Sequence, residues 1–121
     1  MSQGRQAHYV ETMGSVPAAI ATMFEMDPEF AGHYTDIREL IYRERPDGLS
    51  LPVKELILVL LDICVSNKDG AVNHLRAAQR AGLTKTQLRE MLLEAFLVLG
   101  VSGWGKVGHH LWAEWDGEVA G

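Results

Sequence analysis

The residues able to do chemistry cluster in the middle of the chain. His74 is flanked at helical spacing by Gly70, Ala71, Ala77 and Ala78, so its imidazole stands among small side chains that leave room beside it. It reads either as a structural histidine or as a general acid–base, the commonest such group near neutral pH. Glu55 and Asp62 lie two helical turns apart and share one face. Glu55 has a simple helix-end reading, since an acid near a helix N-terminus complements the macrodipole. Asp62 sits inside the apolar run Leu56–Val65. An acid there must pair with an Arg or Lys, or face a polar cavity as a site residue. Arg76 and Arg80 are candidate carboxylate clamps, because guanidinium binds carboxylate bidentately. Arg76 lies about 200° round the helix from His74, which also suits a surface position or a neighbouring subunit. Trp104 joins these as an expected substrate-binding residue. Met13, Met23, Met26 and the lone cysteine, Cys64, read as core side chains. His109 and His110 are adjacent, so they cannot form an i,i+4 ligand pair, and no metal site is expected.

The elements that must position these groups read as all-α, with no alternating β-branched segment. A short first helix breaks at Gly14–Pro17, and a second follows over about 16–26. Asp27-Pro28-Glu29 starts a third helix that runs to about Arg43. Pro46-Asp47-Gly48 is a turn. A fourth helix runs from Ser50 or Leu51 to about Val65, and Ser66–Gly70 is a break. A fifth covers about 71–81 with Gly82 as its C′ residue. Thr84 and Gln87 form a capping box, with Leu83 and Leu88 as a staple, for a sixth helix to about Leu99. After Gly100 a last helix spans about 102–115. The run Leu56–Val65 is apolar on nearly every side, which fits a central core helix or a self-associating one.

The 121 residues amount to one domain's length, and the chain is read as a single domain over 1–121. Hydrophobic residues are 47% and charged residues 22%, so disorder is not expected. The net charge of −5 argues against nucleic-acid partners, which need positive charge. One cysteine makes no internal disulfide and no CxxC pair. The longest apolar run is too short to span a bilayer, so no membrane partner is expected. No secretory signal is visible at the N-terminus, and a cytoplasmic location is expected.

Lys54-Glu55-Leu56-Ile57, then Asn73-His74-Leu75-Arg76-Ala77-Ala78-Gln79-Arg80-Ala81-Gly82-Leu83-Thr84, then Leu88–Leu93, resemble the carboxymuconolactone decarboxylase family, grouped with the AhpD-like fold. The resemblance covers about residues 30–108. The peroxidase branch carries Glu-x11-Cys-x2-Cys-x3-His, and the same spacing here reads Glu55, Asn67, Gly70, His74. Both cysteines are replaced. The His-Leu-Arg stretch is similar instead to the decarboxylase branch, whose Gly-x-Pro before the last helix is here Gly100-Val101-Ser102.

The resemblance implies an AhpD-like bundle of six to seven helices assembled as a trimer or hexamer, with a pocket near the His74 helix. It further implies a cofactor-free lyase acting on a small organic acid, such as a carboxylated lactone, with His74 as proton donor and Glu55 as its orienting partner. A non-catalytic binding or assembly member of the fold is the alternative. A thiol peroxidase is disfavoured, since that chemistry needs an attacking and a resolving thiol.

Overall fold

The computed structural model describes residues 2–118, with side chains over 4–115. Among the described residues the chain is all-helical and divides after residue 48 into two compact units.

The first unit holds α1 (Ser2–Met13), α2 (Ala18–Met26) and α3 (Pro28–Tyr42). Gly14 ends α1 in the left-handed region at φ 86°, where glycine carries no Cβ penalty. Asp27 caps α3 by accepting the Phe30 N–H at 3.0 Å, with Pro28 at the first turn, as the sequence predicts. Tyr9, Phe24 and Ala31 form the core, and the Tyr9 hydroxyl meets Thr35 Oγ1 at 2.8 Å. Met13 and Met23 pack against this core, but Met26 is 73% exposed, so it is not the core residue expected. Arg38 is buried with its guanidinium 4.2 Å from the Tyr42 ring centroid. It donates to His8 Nε2 at 3.0 Å and to the Tyr42 hydroxyl at 2.7 Å.

The second unit holds α4 (Leu51–Cys64), α5 (Lys68–Arg80), α6 (Lys85–Gly103), a π-helical turn (Trp104–Gly108) and α7 (His109–Glu118). Val59 and Ile63 of α4, Ala71, Leu75 and Ala78 of α5, and Leu88, Met91 and Leu92 of α6 form one core with Val107, Leu111 and Trp115. The α4 run is not enclosed on all sides within the chain. Ile57, Leu61 and Val65 are exposed on the face away from Val59 and Ile63. Cys64 is exposed as well, which corrects its reading as a core side chain. It follows Ile63 by one residue, and the 100° step carries it off the buried face.

The ends of α5 and α6 carry their sequence signals into geometry. Gly82 at φ 106° closes a Schellman turn, with Leu83 N–H on the Ala78 carbonyl at 2.9 Å and Gly82 N–H on Gln79 at 3.1 Å. The Thr84–Gln87 capping box has both of its hydrogen bonds, and the staple leucines Leu83 and Leu88 are buried. Two boundaries differ from expectation. The expected break before residue 71 is instead the start of α5, because Asn67 caps it by accepting the Gly70 N–H at 3.1 Å. Beyond Gly100, which leaves helical geometry at φ 68°, the chain resumes a helical path through the π turn. Gly103 and Gly108 permit this: a Cβ would stand 2.8 Å from Leu99 Cβ at the first and 3.0 Å from the Trp104 ring at the second. The helical run Lys85–Trp115 is long and apolar enough, by length and composition alone, to cross a membrane.

Candidate active site

Helix α4 brings Glu55 and Asp62 to the side that faces α5. The heptad spacing does this, and the intervening Val59 anchors the same face in the core. Helix α5 brings His74. Its alanines, Ala71, Ala77 and Ala78, are buried and let the two helices approach closely around the imidazole.

Glu55 is 1% exposed, and its Oε1 accepts a hydrogen bond from His74 Nδ1 at 2.8 Å. A carboxylate acceptor fixes the proton on Nδ1, so Nε2 is the nitrogen left to work. Nε2 faces Asp62, whose Oδ2 stands 4.0 Å away. The imidazole is 16% exposed and Asp62 20%, so the cluster is reachable from solvent. Among the described residues no Lys or Arg pairs with Asp62, and its recorded neighbours are Asn67 and His74. Burial pushes the Asp62 carboxyl above the ordinary value, against the downward pull of His74 and the Asn67 amide.

The remaining candidates are placed elsewhere. Arg76 pairs with Glu114 of α7 at 2.8 Å. Arg80 ends α5 on the exposed surface. Trp104 lines a separate cavity of about 500 Å³ with Arg89, Leu92, Leu93, Phe96 and Trp112, and its ring neighbours are Phe96 and His109, each at 6.3 Å. The structure thus brings together His74, Glu55 and Asp62, and not the two arginines or Trp104. His109 and His110 stack against each other at 3.9 Å, and no group of three or more metal-ligating side chains occurs among the described residues.

Two residues at the cluster were not singled out for a role. Asn67 donates from Nδ2 to Asp62 Oδ1 at 3.4 Å, and its backbone N–H bonds the Asp62 carbonyl at 2.9 Å. Gly70 lies against the same carboxylate. The signal available was an Asn three residues before a Gly at a helix start, which marks a capping turn.

An imidazole anchored through Nδ1 and partly exposed to solvent is suited to proton transfer. Positions 67 and 70, where the peroxidase-like spacing has cysteines, carry Asn and Gly.

No curated protein matches the chain. A crystal structure of a candidate carboxymuconolactone decarboxylase from Burkholderia xenovorans LB400 is similar, with 36% sequence identity and a TM-score of 0.85 over 98% of this chain and 92% of that one. The pattern of the carboxymuconolactone decarboxylase family matches residues 28–105, and with that span and that structural likeness the chain belongs to the carboxymuconolactone decarboxylase family.

Proposed function

We propose that the protein is a lyase that decarboxylates a small carboxylated lactone or a related organic acid by acid–base chemistry. The observation that carries this reading is the 2.8 Å bond between His74 Nδ1 and the buried Glu55, which orients the ring with Nε2 on the side of Asp62. Family membership supports the reaction class.

The reaction asks little of a protein: a held carboxylate, stabilisation of enolate-like charge, and a proton for carbon. The bond between carbon and the carboxylate breaks, and its electron pair moves into the conjugated carbonyl. CO2 leaves. His74 Nε2–H then delivers a proton to the enolate carbon, and solvent restores it. Glu55 keeps the ring in one tautomer and stabilises the imidazolium.

Purified protein incubated with carboxylated unsaturated lactones, with CO2 release followed over time, tests the reading. Turnover that His74→Gln abolishes supports it. Binding without turnover makes the protein a non-catalytic member of its family.

We further propose that the chain self-associates as a trimer or hexamer. Leu97 (84%), Val98 (82%) and Val101 (71%) on α6, with Leu61 on α4 and Val65 at its C-terminal end, leave much apolar surface uncovered in a 121-residue chain.

A further inference from the structure

We propose that Asp62 is the second proton-carrying group of this site: it faces His74 Nε2 across a 4.0 Å gap, in the volume that a side chain at position 70 would fill. The inference rests on the acid–base reading of Glu55 and His74, and it assigns the group that stands beside Nε2 at the substrate.

Three observations place the carboxyl there. A Cβ on Gly70 would stand 2.5 Å from Asn67 Nδ2 and 2.8 Å from Asp62 Oδ2, so a side chain there would displace the ends of both from where they stand. Glycine weakens a helix relative to alanine, so its presence in the first turn of α5 is not explained by helix stability. Asn67 then holds the carboxyl from its far oxygen, Oδ1, and leaves Oδ2 facing His74. The separation of 4.0 Å is too long for a hydrogen bond, and a ligand atom lying off the line between the two groups can touch both.

The charges decide the protonation state. The titratable groups recorded at this point are Glu55 and Asp62 from α4 and His74 from α5. An ionised Asp62 beside an anionic substrate repels it, whereas a protonated one donates an O–H hydrogen bond. Burial already favours the protonated form, and a bound carboxylate favours it further. The balanced step follows. The carbon–carboxylate bond breaks, CO2 leaves, and the pair forms an enolate. The Asp62 O–H donates to the enolate oxygen and keeps its proton. His74 Nε2–H supplies the proton to carbon, and a solvent proton replaces it. Asp62 is therefore active protonated, and turnover falls as pH rises through its titration.

The experiment has a titration arm and a kinetic arm. In the first, the Asp62 carboxyl is titrated by 13C NMR in wild type and in His74→Gln. Loss of the facing imidazole should move the titration further upward, and an unchanged titration overturns the proposal whether or not a substrate is known. In the second, Asp62→Asn should lower kcat at least about tenfold and take the Asp62 contribution out of the alkaline limb of the pH profile, leaving only the fall that His74 imposes as proton donor, with Asp62→Glu restoring part of both. Its melting temperature at neutral pH should hold or rise, because the variant no longer buries an ionisable carboxyl. A variant with wild-type kcat and pH profile, or one whose activity falls only with its stability, overturns the assignment. Failure of the lyase reading looks different: wild type and His74→Gln both lack turnover while the titration arm still shows the two groups coupled.

Discussion

Removing Glu55's charge should partly rescue the loss of His74. Glu55 is 1% exposed, and His74 Nδ1 is the partner recorded for it. His74→Ala withdraws that donor and leaves a buried carboxylate alone. Breaking a buried pair in this way costs about 3–5 kcal/mol, and the 16% exposure of the imidazole, which lets water follow, puts this case near the lower end. Adding Glu55→Gln replaces the stranded charge with a neutral amide of the same shape, whose unsatisfied burial costs about 1–3 kcal/mol. The double variant should therefore be more stable than His74→Ala by about 1–2 kcal/mol, the reverse of additive behaviour. Urea denaturation at pH 7 of wild type, both single variants and the double variant closes the cycle. A double variant as unstable as His74→Ala, or less stable, means that Glu55 has another source of compensation and refutes the reasoning.

His74→Gln keeps an amide that can donate to Glu55, so its melting temperature should stay within a few degrees of wild type while kcat drops by about 10²–10⁴; equal losses of both would make the histidine structural. Thr84→Ala removes one half of a complete capping box and should lower unfolding free energy by about 1 kcal/mol, read by chemical denaturation, with turnover unchanged. Light scattering on protein purified without detergent should give three or six times 13.4 kDa, and a stable monomer at micromolar concentration would remove the case for self-association.

Local rules made most of the fold legible. Asp27-Pro28, Gly82 and Thr84-x-x-Gln87 each specify a helix end through their own backbone chemistry, and each forms the bond expected of it. Glu55 and His74 were legible as residues because their spacing carries a family resemblance, and the hydrogen bond between them follows from two helices packing through alanines. What local rules missed depends on packing between elements. The exposure of Cys64 and Met26 follows from which helix faces find partners, not from their apolar character. Arg76 was read as a carboxylate clamp, but its partner is a carboxylate of the chain itself, thirty-eight residues later. The π turn depends on glycines that a periodicity argument treats only as helix breakers.

Gly70 and Asp62 also constrain each other. The peroxidase-like pattern that this stretch resembles sets cysteines at positions 67 and 70. A Cβ at 70 meets Asp62 Oδ2 at 2.8 Å and Asn67 Nδ2 at 2.5 Å, so a cysteine cannot enter there while those two side chains keep their places. Both side-chain ends must shift to admit it, and that shift moves the carboxyl from its present place beside His74. A thiol at position 70 and a carboxyl beside His74 thus compete for one small volume, and a chain that holds either there must give up the present placement of the other.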